Sequence, residues 1–410
     1  MVLHRSSLRC RLKGRRPEEA HGVRTARSCS ASKTPVAAAE SMAVYADGHI
    51  LFTREGTLLA QSFDSRRLVT DGDPVVIATD ITVQGNRAAM FSVSRSGLLV
   101  VRSASLPPTQ LTVVDRGGGR RLRTVGEPAD MTEVALSPDD TRAVVSIRDP
   151  SKQTRDLWVQ DLVRDVRTRL TFDPGDDQQP AWSPDGTRVL FSAARPARLD
   201  LYERMTDGSG SERQVFAFDS LRLNSYATSW SPDSRYILFY NGTVESPTGS
   251  NDIQVLATSG ERAPRPFLQT RFSEEDGQFS PDGRWIAYKS NESGRYEVYV
   301  VPFPGPAGKW KVSTAGGETP RWRRDGKELF FLSGTAMVSA NVNGSGNTFA
   351  VGRSQRLFDA HLGDRDNVEH SYGVFADGQR FLIALVAADQ PAEAPIRVIT
   401  NWTSLLQKTK

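Results

Sequence analysis

The chain has 410 residues, 38% hydrophobic and 24% charged, with 33 glycines and 23 prolines, within the usual range for a soluble globular protein with many turns. The net charge of +4 originates in residues 1–34, which hold nine basic residues against Glu18 and Glu19 and leave the remainder slightly acidic. Both cysteines, Cys10 and Cys29, lie in that same stretch, which excludes a disulfide framework or a cysteine-based zinc site in the body of the chain.

Taken in chain order, residues 1–40 read as a basic, disordered tail. Its charge could draw it to nucleic acid or anionic lipid. It has no aromatic residue and no fold motif of the kind a nucleic-acid binder needs, so no nucleic-acid partner is expected. It also lacks the continuous apolar stretch of a secretory signal. The longest apolar run anywhere, Phe381 to Ala388, is too short to span a bilayer. As written, the chain is expected to stay in the cytoplasm.

From residue 41 onward one phrase recurs: a large apolar residue, Ser-Pro-Asp-Gly, then an apolar strand. Two partial copies, Tyr45-Ala46-Asp47-Gly48 and Val93-Ser94-Arg95-Ser96-Gly97, come first. Then follow Leu136-Ser137-Pro138-Asp139-Asp140, Trp182-Ser183-Pro184-Asp185-Gly186, Trp230-Ser231-Pro232-Asp233-Ser234 and Phe279-Ser280-Pro281-Asp282-Gly283. Degenerate copies at Trp322-Arg323-Arg324-Asp325-Gly326 and Val374-Phe375-Ala376-Asp377-Gly378 complete the set. The period of some four dozen residues fits four short strands and their turns, a propeller blade. Within residues 180–215 the phrase is a turn, Arg188 to Ser192 a buried strand, Asp200 to Glu203 a third strand, and Arg213 to Val215 an outer one. No apolar pattern of helical period is sustained, so very little helix is expected.

The fold class is therefore an all-β propeller of four-stranded blades over residues 41–407, with eight repeat units. The units fit one eight-bladed ring; the rival is a six-bladed ring from about residue 131 plus two extra units. Trp182, Trp230, Phe279 and Trp322 are expected to pack between blades, and the strand Ile396 to Ile399 to close the ring near the first blade.

The repeat resembles the propeller of TolB, of the tricorn protease and of the dipeptidyl peptidase N-terminal domain. It is closer still to the C-terminal propeller region of bacterial, acidobacterial-type serine/threonine protein kinases. The stretches that carry this resemblance include Ile50 to Gln61, Asn291 to Val300, Pro302-Phe303-Pro304-Gly305, Pro320 to Phe330 and Asn401-Trp402-Thr403. It implies a binding and sensing module, placed beyond a membrane span when it is part of a larger kinase. The kinase motifs themselves are missing: there is no His-Arg-Asp and no Asp-Phe-Gly, and Gly117-Gly118-Gly119 reads as a hairpin loop. The Gly-x-Ser-x-Gly elbow of the propeller-bearing peptidases is missing too. His370, near Asp366 and Glu369, reads as a solvated loop residue. The acids from Asp173 to Asp177 lack calcium-loop spacing. A non-enzymatic module without cofactor or metal is expected; the alternative is an accessory propeller that docks or gates a separate peptidase or hydrolase.

The loops entering the innermost strands carry acids or amides: Glu133, Asp176, Asp177, Asn224, Glu275, Asp276, Glu318 and Glu369. In a closed ring these would converge on one mouth of the channel and focus a negative field. The expected partner there is a protein or peptide ligand, a basic segment in particular, or a metal ion.

Overall fold

The computed structural model describes residues 2–4, 33–35 and 39–408, apart from stretches at 82–88, 103–107, 219–222, 244–250, 361–370 and 388–395 and scattered single or paired positions. In the tail, Val2–His4 pairs with Lys33–Pro35; the expectation of disorder for the rest of the tail lies outside the described residues.

Each repeated phrase folds through one local relay. Ser183 Oγ donates to Asp185 Oδ1 (2.6 Å) and accepts the N–H of Arg188 (2.9 Å), while Asp185 Oδ1 also accepts the N–H of Thr187 (3.0 Å). The same serine relay recurs at Ser137, Ser231 and Ser280. Position four of the phrase is left-handed in every copy after residue 131: Gly186, Gly283, Gly326 and Gly378, but also Asp140 and Ser234. That conformation costs glycine nothing, which explains the consensus. The turn reverses an inner strand into a second strand, and two further hairpins complete a meander.

The chain divides into two compact units, residues 107–392 and residues 1–106 with 393–410. The larger unit holds six four-stranded antiparallel sheets. Blade 2 comprises Met131–Leu136, Arg142–Arg148, Arg155–Asp161 and Val166–Arg169. Blade 3 comprises Asp177–Trp182, Arg188–Ala194, Leu199–Met205 and Arg213–Phe216. Blade 4 runs from Leu223–Trp230 to Arg265–Leu268, blade 5 from Glu274–Phe279 to Trp310–Lys311, and blade 6 from Glu318–Trp322 to Thr348–Asp359. Blade 1 joins the two ends of the unit: Tyr372–Val374 and Arg380–Val386 pair onto Thr109–Asp115 and Arg121–Ala129.

Six apolar clusters fill six sheet-to-sheet interfaces, which a closed ring of six requires and an open stack of six does not. Leu111, Met131 and Leu382 lie between blades 1 and 2, and Phe330, Phe358 and Phe381 between blades 6 and 1. The remaining four interfaces are built alike. Second strands such as Trp285–Ser290 are buried along their whole length because a sheet covers each face, whereas outer strands such as Val166–Arg169 alternate. Each fully buried large side chain contributes roughly 1.5–3 kcal/mol. Trp182, Trp230 and Phe279 are buried in these interfaces as expected, and Trp322 is half-buried. The guanidinium groups of Arg142 and Arg188 lie 4.9 and 5.1 Å over the rings of Trp182 and Trp230 on the next blade. At the seam, Arg116 of blade 1 forks onto the buried carboxylate of Glu328 of blade 6 (2.5 and 2.9 Å).

Among the described residues seven of the sheets have the expected four strands and an eighth has three, and the ring of six begins at residue 107 rather than near 131. The difference has a topological cause. The unit starting at Val93 is divided: Leu98–Arg102 stays in the smaller unit, while Thr109–Ala129 becomes the outer half of blade 1. The terminal strand Ile396–Thr400 pairs with Leu98–Arg102 in the smaller unit, so the strand that closes the ring is Arg380–Val386 instead.

The smaller unit contains the four-stranded sheet Val44–Ala46, His49–Arg54, Thr57–Asp64 and Val69–Ala78, and the three-stranded sheet Phe91–Val93, Leu98–Arg102 and Ile396–Thr400. Leu51, Leu58, Leu99 and Val101 pack between them around the fully buried Trp402. Trp402 opens a short 3-10 turn, Trp402–Lys408, the only helical element among the described residues. No described helix is long and apolar enough to cross a membrane.

Candidate functional site

In the 107–392 ring each inner strand packs against the next all the way round, so the six line one axis. Five of them carry a register shift just inside the entry end, between Met131 and Glu133, Gln178 and Ala181, Ala227 and Ser229, Glu275 and Gln278, and Glu318 and Arg321. At three of these bulges a residue other than glycine is left-handed: Gln179 (φ 55°), Asp276 (54°) and Thr319 (52°). For a β-branched threonine this is a strained conformation that its surroundings must hold in place.

Cross-blade hydrogen bonds supply that hold. The N–H of Gln179 donates to Glu133 Oε2 (2.7 Å), Ala227 N–H to Ser192 Oγ (2.8 Å), and Gln278 Nε2 to the Thr228 carbonyl (2.9 Å). Arg321 Nη1 reaches Asp276 Oδ1 (3.3 Å), and the Tyr372 hydroxyl donates to the Thr319 carbonyl (2.8 Å).

Beyond this belt, toward the Ser-Pro-Asp turns, the axis opens into a cavity of about 360 Å³ lined by all six inner strands. Its wall mixes apolar and polar surface, with Trp182, Trp230, Trp322 and Tyr372 among the lining side chains, and its rim carries turn prolines, Pro138, Pro184, Pro232 and Pro281. Ala135 and Ala181 put little side-chain volume into the space, and Gly373 lets its strand pack closely on the neighbouring one, since a side-chain carbon there would come within 2.7 Å of Leu136. Polar contributions come from Thr228, Ser229, Gln278 and Arg321, the last the single charged lining residue among the described residues. Trp182 Nε1 donates to the Ala135 carbonyl (2.9 Å) and Trp322 Nε1 to the Gln278 carbonyl (3.2 Å), each on the preceding blade. Trp230, at the equivalent place, has a buried Nε1 with no partner among the described residues. Among the described residues the lining holds no histidine, cysteine or carboxylate, and what it presents is shape, aromatic surface and a few polar groups.

The acids predicted at the opposite mouth do gather at the entry ends of the inner strands, but they are engaged with cations and amides of the ring. Asp176 takes a fork from Arg155 (2.7 and 3.1 Å). Asp177 is buried and meets Arg195 at 2.8 Å; burial pushes its carboxyl up to about 7, against the pull of Thr171 and Arg195. Glu275 accepts from Lys289 (3.1 Å), Asn251 (2.7 Å) and the Tyr296 hydroxyl (2.8 Å). Asn224 accepts the N–H of Leu199 (3.0 Å). Glu133 and Asp276 serve the belt described above. Glu318, 38% exposed and 3.8 Å from Lys289, is the most open carboxylate of the set; Glu369 lies outside the described residues. Among the described residues no group of three or more His, Cys, Asp or Glu side chains is placed to hold a metal ion.

The axial cavity was not anticipated from the sequence, although its parts were visible there: the prolines and tryptophans of the repeated phrase are its rim and wall. What the sequence does not display is that the phrase stands around a cavity on the axis.

No protein-family model and no curated protein matches the chain. Solved structures do match. A putative TolB from Agrobacterium tumefaciens aligns over 69% of this chain and 99% of that chain, at 16% sequence identity and a TM-score of 0.52. TolB from Acinetobacter baumannii aligns over 75% and 80%, at 15% identity and a TM-score of 0.44. An oligogalacturonate lyase from Vibrio parahaemolyticus aligns over 76% and 82%, at 12% identity and a TM-score of 0.44. The first of these likenesses establishes a fold, the TolB-like β-propeller, and says nothing of activity.

Proposed function

We propose that the chain is a non-enzymatic β-propeller that captures an extended segment of a partner protein in the axial cavity of the 107–392 ring. The observation that carries this reading is the cavity itself: all six inner strands contribute to it, and its wall is tryptophan, tyrosine and proline with a few directed donors. Binding sites for ligands are concave and mostly apolar, with a small number of placed polar groups. Aromatic anchors in such a pocket contribute most of the affinity at protein interfaces. The kinase-type phrases in the sequence support placing this capture in a sensing or docking role beside a kinase. The alternative, docking of a separate peptidase or hydrolase, uses the same cavity.

The entry mouth, with its acids neutralised by Arg155, Arg195 and Lys289, is the less favoured place for a basic peptide. Site-specific photo-crosslinking separates the two. A photo-reactive amino acid at Ser229, in the cavity wall, is expected to form protein adducts, and one at the exposed Val163 is not. Adducts from position 318 alone, suppressed by salt, would instead place a basic ligand at the acidic mouth; none from any position would remove the binding reading.

A further inference from the structure

Three neighbouring interfaces of the 107–392 ring share one detail: the aromatic residue that ends an inner strand is covered by another side chain. Arg142 lies 4.9 Å over the ring of Trp182 between blades 2 and 3, and Arg188 lies 5.1 Å over that of Trp230 between blades 3 and 4. Between blades 4 and 5 the cover on Phe279 is Phe303, with ring centres 5.1 Å apart. The covering positions correspond from blade to blade. Arg142, Arg188 and Trp285 each donate their N–H to the serine hydroxyl of their own turn (2.9 Å in each). Thr206, Phe303 and Val342 each donate theirs to the last carbonyl of the turn, on Thr187, Arg284 and Lys327.

Between blades 5 and 6 neither cover is present. Trp285 holds the place of Arg142 and Arg188, but it is buried against Trp310 (5.5 Å) and Phe349 (5.0 Å). A side-chain carbon on Gly344 would collide with its Nε1, so that glycine is what admits the ring. Val342 holds the place of Phe303 and has no ring to offer. Trp322 is therefore less buried than Trp182 and Trp230, and among the described residues no cation lies over it. A pocket of about 370 Å³ borders it instead. Gly326 is in the lining; its counterpart Gly186 gives its carbonyl to the Arg142 guanidinium (2.9 Å). Asp282 and Asp325 line the pocket too, each about half exposed and each already meeting an arginine, Arg284 (2.8 Å) and Arg323 (2.7 Å).

We propose that this pocket receives an arginine side chain of a partner protein, its guanidinium lying over Trp322 as Arg142 and Arg188 lie over the corresponding tryptophans. The chain itself fills two equivalent places with a guanidinium, a flat cation that meets an indole face and hydrogen-bonds acceptors at its edge. At Trp322 the face and the Gly326 carbonyl are left for a guest. Net charge does not drive the binding, because Lys327 in the lining is a like charge that the guest must tolerate. Ring and carbonyl supply the attraction. Trp322 and Pro281 also border the axial cavity, so the arginine can belong to the segment held there. That link rests on the capture proposed above; the guanidinium site does not.

The test follows the indole N–H resonances of the seven tryptophans in the full chain as N-acetylarginine amide is added. The Trp322 resonance, assigned by its loss in Trp322→Phe, is expected to shift saturably. Those of Trp182 and Trp230, already covered, are expected to stay in place, and the matching phenylalanine and glutamate amides to leave Trp322 unmoved. Lys327→Gln, at an exposed position, is expected to tighten arginine binding about threefold by removing the like charge. Val342→Phe, which copies Phe303, is expected to abolish the shift, the other indole resonances reporting an intact fold. No saturable shift with the arginine amide, an equal shift with the phenylalanine or glutamate amide, or weaker binding in Lys327→Gln would each overturn the proposal. Crosslinking from Ser229 reports on capture separately: adducts there without an arginine shift remove this site alone, and a shift without adducts removes capture alone.

Discussion

Position four of the repeated turn separates conformational preference from contact at the scale of one residue. Asp140 and Ser234 hold left-handed backbone where their sister blades have glycine. Ser234 uses its side chain for nothing that the structure records. Asp140 uses both carboxylate oxygens, accepting the Ala376 N–H (2.9 Å) of blade 1 and the Arg324 guanidinium (3.0 Å) of blade 6. Ser234→Gly is therefore expected to stabilise the fold by about 0.5 kcal/mol, relief of the left-handed penalty exceeding the added freedom of the unfolded chain. Asp140→Gly relieves the same strain but leaves the Ala376 donor unmet, and is expected to cost about 1–2 kcal/mol. Denaturant midpoints measured at unchanged m-value decide both, and equal signs for the two would contradict the account. The turn itself was legible in the sequence, since Ser, Asp and Gly each have a stated backbone task. The partners of the entry-end acids were not: Arg155 and Lys289 sit in neighbouring strands, and no spacing rule links them to Asp176 or Glu275.

Within one blade, loops are tied together by buried charge. Arg195, after the second strand of blade 3, bridges Asp173 (3.1 Å), Asp177 (2.8 Å) and Glu212 (3.2 Å), joining the loops before the inner and outer strands. Asp177 ionises near 4 in an unfolded chain and near 7 in the fold, because burial disfavours its charge. Between these pH values the folded chain keeps a proton that the unfolded chain has released, so this group's contribution to stability falls as pH rises from about 4 to about 7. Asp177→Asn is expected to remove that slope. Unfolding free energies of the two proteins compared across the interval test it, and parallel curves would contradict it. Asp185 works in the opposite sense: the Ser183 hydroxyl and the Thr187 N–H hold its carboxyl down at about 2, so what it adds is lost as pH falls below about 4. The elements were readable from the sequence, because apolar runs and turn residues mark each strand. Their pairing was not. Periodicity counts strands in chain order, whereas blade 1 is assembled from residues on either side of the other five blades.

For the whole molecule, closure of the ring is what makes the axial cavity. Six interfaces require that Arg380–Val386 return to Thr109–Asp115. Without that pairing two sheet faces and two edges would stand open, and the inner strands would not enclose an axis. The repeat made a propeller legible, and the number of copies after residue 131 kept a ring of six in view. The start of the ring, the split unit and the destination of Ile396–Thr400 depend on contacts between residues nearly three hundred positions apart, which no local pattern carries. Calorimetry of the isolated segments 107–392 and 107–370 tests closure most directly. The longer segment is expected to unfold in one cooperative transition, and the shorter, lacking the strands Tyr372–Val374 and Arg380–Val386, in none. A cooperative transition of similar midpoint in both, or in neither, would contradict a ring of six sheets closed by these strands.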